Sequence, residues 1–518
     1  MKKSITRNEW SKLILFFAIL LGAFIRFNPP LLAGFAVNDG GMFTVMIDDL
    51  RANHFLVPAF TSYNRLNIPY AYPPLGFYMG AFTAGLFNMD STQVVRWLPA
   101  FFASLSIPAF YFLSLRLFKD DYKASISTLM FAFMPRAFLW FVMGGGLTRS
   151  AGQFFMLLVL IMILRLYQEN RRSDILWSGL FGGLAVMSHP EAPVHTALSA
   201  LLIWAVLSRK RVEFMHSVYV GLVVLLVSSP WWGTVIYHHG LAPLRSAMQT
   251  GGNSLAGLHL LFFSFTEEPY ATVIAVLALI GVAHRLIRRD YLLPLWMAVP
   301  FLLAGRSATN LVAFPLAMLA GVGLTDVVLP ALQASTKGEA DESTHVSSIE
   351  RNVLLYIFIY LVFSAYQFGF QLSRASLSKS DLDAMSWVQN NTPDESSFLV
   401  LTGATSVACD AVSEWFPALT GRHSFYTIQG HEWTLGGDFN EFIARTVDVQ
   451  GCVNDMPSCL DEKAPFGDYI YVERRLSVNN CAPLEFETNF RHFLEQMLLI
   501  DSLDVVYEND GVVIFDVR

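Results

Sequence analysis

The chain has 518 residues, of which 54% are hydrophobic and 15% charged, and its net charge is −7. Soluble domains average about 25% charged residues, so most of this chain reads as lipid-embedded. The acidic balance, with a pI near 5.9, gives no support for a nucleic-acid partner.

Met1-Lys2-Lys3 precedes an apolar run that carries no small-residue cleavage site, which predicts a retained first helix rather than a removed signal. About eleven apolar segments meet the length criterion for crossing a bilayer. They fall near residues 11–28, 97–118, 124–142, 151–167, 175–189, 192–208, 215–233, 269–286, 291–304, 308–330 and 352–372. Lys2, Lys3, Arg7 and Lys12 precede the first. Arg116, Lys119 and Lys123 follow the second, and Arg165, Arg171 and Arg172 the fourth. Arg209, Lys210 and Arg211 follow the sixth, and Arg285, Arg288 and Arg289 the eighth. Counting crossings puts all five groups on one side, which the positive-inside rule makes cytoplasmic. The N-terminus is then cytoplasmic and the tail extracytoplasmic. The expected fold is a polytopic α-helical membrane part, 1–372, with a long first outer loop over 29–96, followed by a small α/β part, 373–518, outside the cytoplasmic (plasma) membrane.

The tail carries its own signals. Asp381 to Gln389 predicts a helix ended by Asn390-Asn391-Thr392-Pro393. Ser397–Leu401 and Tyr469–Val472 predict strands. Val505–Tyr507 and Val512–Phe515, joined through Asp510-Gly511, predict a hairpin. The four cysteines, Cys409, Cys452, Cys459 and Cys481, all fall here, which suggests an oxidising compartment and leaves three pairings open. Glu414-Trp415-Phe416 and His431-Glu432-Trp433 put aromatics beside acids, a pattern that can stack on sugar faces but is read mainly as domain core.

Polar candidates gather at the outer ends. Asn38-Asp39-Gly40-Gly41 follows the first apolar helix, and Tyr70-Ala71-Tyr72-Pro73-Pro74 follows in the same loop. Asp39 either serves chemistry or caps the helix predicted from Met42 to Leu50. Asp48 and Asp49 read as solvated helix charges. Ser188-His189-Pro190-Glu191, with His195 one turn on, interrupts two apolar segments, where imidazole and carboxylate groups are expensive. His189, Glu191 and His195 are candidate ligands of a divalent metal, the alternative being a polar cap on a sharp helical turn. Glu267 and Glu268 stand before a later apolar segment and suit either a site or a helix N-terminus. Arg149 and Arg306 sit at outer ends against the charge trend and suit a phosphate group.

An acid followed by a Tyr/Pro segment in the first outer loop resembles the GT-C membrane glycosyltransferases, which use polyprenyl-phosphate-linked sugars. Protein mannosyltransferases, aminoarabinose transferases and oligosaccharyltransferases are among them. The resemblance covers the membrane part as an architecture, and its motif support is Asp39 and Tyr72-Pro73-Pro74. It implies an inverting transferase on the outer membrane face. Asp39 would be the catalytic base, and Arg149 and Arg306 would hold the donor phosphate. Tyr72, His189, Glu191, Glu267 and Glu268 would bind substrate. The donor would be a polyprenyl-phosphate sugar, and the acceptor a glycan, lipid or protein. Ser264-Phe265-Thr266-Glu267 is distantly similar to an outer-loop motif of oligosaccharyltransferases, with Phe where that motif favours an aliphatic residue. Gly144–Ser150 stands where those enzymes carry an acidic motif, which argues against metal-dependent oligosaccharyl transfer. A lipid-linked glycan transporter or flippase, or a membrane-anchored binding protein, is the alternative.

Overall fold

The computed structural model describes residues 6–250, 272–303, 308–335, 346–404, 406, 410–455, 457–463, 467–474 and 486–518. Helix α1 spans Arg7–Ala33. A reciprocal cap starts it: the Glu9 N–H donates to Thr6 Oγ1 at 3.2 Å, and the Thr6 N–H donates to Glu9 Oε2 at 2.8 Å. Gly34, at φ 75°, ends it in the left-handed conformation that releases the chain toward Asp39.

The region expected as one long outer loop is largely helical. It holds α2 (Gly41–Ala52), α3 (Leu75–Phe87) and the start of α4 (Ser91–Phe118), with a two-residue antiparallel ladder of β1 (Phe60–Thr61) and β2 (Ile68–Pro69) between the first two. Asp48 and Asp49 are not simply solvated. Asp49 accepts from Thr61 Oγ1 at 2.6 Å and from the Ser62 N–H at 2.9 Å, and Asp48 accepts from Ser91 Oγ at 2.6 Å. These bonds pin the β1 region and the start of α4 to α2.

The described residues of the eleven predicted segments are mostly helical. Among the described residues, seven helices are long and apolar enough to cross a membrane. The stretch 124–142 is not one straight span. It divides into α5 (Asp121–Phe133) and a second arm, Pro135–Val142, bent by 85°. Met134 precedes a proline and takes extended angles, φ −71° and ψ 119°, as the proline ring requires. The second arm ends in the short helix α6 (Leu139–Val142). Then come α7 (Gly146–Glu169), α8 (Ser173–Ser188), α9 (Glu191–Ile203) and α10 (Arg211–His239).

The basic residues close one end of the bundle. Arg7 reaches Glu350 at 3.5 Å, Lys123 reaches Asp326 at 2.7 Å, and Arg165 reaches Asp174 at 2.8 Å. Arg116 pairs with Glu169 at the same end. Asp39 lies at the other terminus of α1.

The tail builds a five-stranded sheet. Its strands are β3 (Ser397–Leu401), β4 (His423–Ser424), β5 (Tyr469–Glu473), β6 (Leu503–Glu508) and β7 (Val512–Val517), in the order β4-β3-β5-β7-β6. β3 runs parallel to β4 and β5, while β7 pairs antiparallel with both β5 and β6. The predicted hairpin is β6–β7, with a bulge between Val505 and Tyr507. Side chains alternate cleanly. Leu399, Leu401, Ile470, Val472, Val513 and Phe515 pack with the helix Phe439–Gly451 side. Phe398, Val400, Tyr471, Val512 and Ile514 face the other way and share a core with Phe35, Met42, Met46 and Phe77 of the N-terminal segment. The tail is therefore packed onto the Asp39 region through a common apolar core. Cys452 and Cys459 form a disulfide with Cα atoms 5.6 Å apart. Cys409 and Cys481 lie outside the described residues.

Candidate active site

Three segments converge on Asp39. Val37 forms an antiparallel bridge with Ser376. The Asn38 N–H donates to the Ala375 carbonyl at 2.5 Å, and the Gly144 N–H donates to the Val37 carbonyl at 2.9 Å. The chain that leaves α1 is thus clamped between the start of the tail and the turn before α7.

That turn is glycine by steric necessity. A Cβ at Gly144 would collide with the Asp39 carbonyl oxygen, and one at Gly145 would collide with the Asp39 carboxylate and the Arg149 guanidinium. Gly40 takes φ +123°, a conformation that side-chain-bearing residues rarely adopt.

Asp39 does not cap the helix that follows it. Gly40 is the N-cap of α2 and provides no side-chain bond. Its carboxylate instead sits at the start of α7. Oδ1 accepts from the Gly145 N–H at 2.8 Å, and Oδ2 pairs with Arg149 Nη2. A helix N-terminus and a guanidinium both favour an anion there. The Arg149 guanidinium also lies over the Trp140 ring at 5.4 Å. Asp39 keeps 24% of its side-chain surface exposed and Arg149 18%, so the pair faces an opening.

The opening is a cavity of about 340 Å³, with Asp39, Arg149, Tyr72, His189, Asp410, Glu414, Gln429 and Glu432 in its wall. Tyr72 lies within hydrogen-bonding distance of Thr148, hydroxyl to hydroxyl, at 3.4 Å, and packs edge-on against Phe43, His189 and Trp433. A second, small cavity of about 40 Å³ is lined by Arg149, Gln153, His189, Glu191, His195 and Asn310. Arg149 and His189 belong to both walls. His189 is the C-cap of α8 and Pro190 the N-cap of α9, so the predicted turn is present, and His189 and Glu191 line a cavity. Among the described residues, no three His, Cys, Asp or Glu side chains are grouped to hold a metal ion. His189, Glu191 and His195 share a cavity without forming such a set. Arg306, Glu267 and Glu268 lie outside the described residues.

Asp410, Glu414, Gln429 and Glu432 line the wall without having been expected as site residues, and Glu414 accepts from the Gly40 N–H, next to Asp39. Its neighbours Trp415 and Phe416 are core, as expected, but Glu414 turns into the Asp39 cavity. It is buried. Burial first, and then the charge of Asp39, pushes its carboxyl up to about 8. Asp410, also in the wall, is raised by burial and spends its oxygens on Ser413 and Thr402. No spacing motif links positions 39 and 414. The only available signal was an acid inside an otherwise apolar amphipathic turn.

Residues 71–233 match the family described as dolichyl-phosphate-mannose-protein mannosyltransferase. No curated protein sequence matches the chain. Solved structures resemble it at low identity. ArnT from Cupriavidus metallidurans, bound to undecaprenyl phosphate, is 14% identical with a TM-score of 0.59, the match covering 98% of each chain. The archaeal oligosaccharyltransferase AglB from Archaeoglobus fulgidus, in complex with an inhibitory peptide and a dolichol-phosphate, is 15% identical with a TM-score of 0.57, covering 90% of this chain and 70% of that one. The arabinofuranosyltransferase AftD from Mycobacteria is 14% identical with a TM-score of 0.52, covering 99% of this chain and 40% of that one. The fold is similar to that of ArnT and AglB.

Proposed function

We propose that this chain is an inverting glycosyltransferase that moves a sugar from a polyprenyl-phosphate donor to an acceptor in the Asp39 cavity. The observation that carries the reading is the position of the Asp39 carboxylate. It stands in the wall of a polar cavity where the end of α1, the start of α7 and the tail meet. ArnT and AglB, which share this fold, were solved with undecaprenyl phosphate and dolichol-phosphate.

The acceptor oxygen attacks the anomeric carbon as the bond from that carbon to the phosphate oxygen breaks. The bonding electrons leave with the polyprenyl phosphate. The acceptor proton passes to the Asp39 carboxylate, the group placed to receive it. Arg149 puts positive charge at the junction of the two cavities, where it offsets the charge that develops on the departing phosphate. Tyr72, His189 and Glu191 supply the hydroxyl, imidazole and carboxylate groups that sugar hydroxyls bond. Arg306, Glu267 and Glu268 join the same reading as further phosphate and substrate ligands.

In this reading residues 1–372 form the catalytic membrane part, and 373–518 lie outside the cytoplasmic membrane. The basic end of the bundle, marked by Arg7, Arg116, Lys123 and Arg165, faces the cytoplasm. The acceptor is a glycan, lipid or protein that reaches the cavity from outside. Purified protein incubated with a radiolabelled polyprenyl-phosphate sugar should release polyprenyl phosphate and label an acceptor. Unconsumed donor across a panel of such sugars would overturn the reading.

A further inference from the structure

Consecutive residues of the helix Ala411–Thr420 hold the two peptide groups that flank Asp39. The Trp415 indole N–H donates to the Asn38 carbonyl at 2.8 Å. The Gly40 N–H donates to Glu414 Oε1 at 2.8 Å. Neither contact is loose. The second Glu414 oxygen accepts from Gln429 Nε2 at 2.9 Å, and the Glu414 backbone carbonyl accepts from the Tyr63 hydroxyl at 2.7 Å. A Cβ on Gly41 would stand 2.6 Å from that same carbonyl, so the helix backbone lies directly on the start of α2. Trp415 packs edge-on against Phe35 with centroids 4.7 Å apart. Helix Ala411–Thr420 therefore grips the chain on both sides of Asp39, while Gly145 and Arg149 fix its carboxylate.

We propose that Glu414 is a positioning residue of the active site, acting through the Gly40 amide to hold Asp39 in place. The tail is then part of the catalytic apparatus, and not only a surface for the acceptor. This inference rests on the glycosyl-transfer reading above. A misplacement of about 1 Å at a reacting group can cost on the order of 100-fold in rate, and a single lost clamp on a glycine-flanked loop allows such a shift. Removing Glu414 also leaves the Gly40 N–H buried without an acceptor.

The charged groups acting on the Glu414 carboxyl are Asp39 beside Gly40, Arg149 from α7 and Glu432, with the Tyr63 hydroxyl on its backbone carbonyl and Asp410 in the same cavity wall. Its carboxyl, raised to about 8, titrates in a range that kinetics can reach.

The test uses the full-length protein in lipid nanodiscs. Glu414→Ala should lower kcat on the order of 100-fold with the donor KM within about threefold, the pattern of a displaced base. Hydrogen exchange in a peptide covering residues 35–42 should accelerate, since the Gly40 amide loses its acceptor. Glu414→Gln keeps an oxygen for Gly40. It should restore exchange protection and keep kcat within about tenfold of wild type, and it should lack the pH-rate limb near 8. Unchanged exchange at 35–42 in Glu414→Ala, or a Glu414→Gln profile that keeps that limb, would overturn the inference. Exchange is read without turnover, so a failed Glu414 clamp, seen as unchanged exchange, is distinguishable from a failed glycosyl-transfer reading, seen as a wild-type protein that transfers no sugar.

Discussion

Asp39 and Arg149 are 110 residues apart in the chain and form one ion pair at the first turn of α7. The group proposed to accept the proton and the group proposed to face the departing phosphate therefore touch. Each fixes the other's place, so in the proposed reaction the acceptor and donor sides meet at a single contact.

Arg149→Ala should cut the rate at saturating donor by on the order of 100-fold, the scale of losing a preorganised charge in a site. Arg149→Lys should recover only part of it and stay about tenfold below wild type. An ammonium restores charge but not the planar fork or its stacking on Trp140. Initial rates of the two variants decide this.

Gly144 tests the steric side of the same contact. Its missing Cβ makes room for the Asp39 carbonyl, so Gly144→Ala forces the two backbones apart. It should abolish transfer and lower stability by about 1–3 kcal/mol, as overpacking does. Gly85→Ala is the control. That glycine lies in α3 with nothing within 4 Å of a built Cβ, so alanine there should be neutral or stabilising by up to about 1 kcal/mol. Thermal unfolding of both variants beside an activity assay separates the outcomes.

Glu414 predicts a pH dependence of stability. Its folded-state carboxyl titrates at about 8 against an ordinary 4.5. Between those values the unfolded chain has released this proton and the folded chain keeps it. The folded state is therefore favoured at the acid end of the window and loses that advantage as pH rises to about 8. The difference in thermal midpoint between wild type and Glu414→Gln should move against wild type across the window and level off above it. A constant difference would show that the carboxyl does not titrate there.

The Cys452–Cys459 disulfide closes a short loop, with a sequence separation of 7. Chain-entropy arguments give about 2–3 kcal/mol for a loop of this size. Cys452→Ser should lower the thermal midpoint by a matching amount and leave the Asp39 cavity intact, since Cys452 belongs to the core on the far face of the sheet. A large loss of transfer in a folded Cys452→Ser protein would contradict this separation.

Much of the architecture was legible because lipid makes backbone bonding local. An apolar run long enough to span has to be helical, and the described parts of the predicted segments mostly are, 124–142 breaking at Met134. The tail hairpin followed from two strand-like runs, Val505–Tyr507 and Val512–Phe515, joined through Asp510-Gly511. The break at Met134 was also readable in principle, from Pro135. The site was only partly legible. Asp39, Tyr72, Arg149 and His189 stood out as polar groups at helix ends, and all four line one cavity. The Asp39–Arg149 pair was not legible, because a separation of 110 residues carries no periodicity. Glu414 was misread as core for a related reason. Its neighbours Trp415 and Phe416 are core, and only the packing of the tail on Phe35 and Gly41 turns the acid inward. The helix expected from Met42 to Leu50 is α2, but the expected outer loop hid α3, since a short helix such as Leu75–Phe87 lies below spanning length.

The most direct test of the account is the transfer rate of Asp39→Asn in full-length, folded protein supplied with a labelled polyprenyl-phosphate sugar. The amide keeps the size of the side chain, and its oxygen can still accept from the Gly145 N–H, but it cannot take up the acceptor proton. The account predicts a loss of roughly 100-fold to 10,000-fold, the span of general-base catalysis, with donor binding retained. Transfer at the wild-type rate by folded Asp39→Asn protein would contradict it.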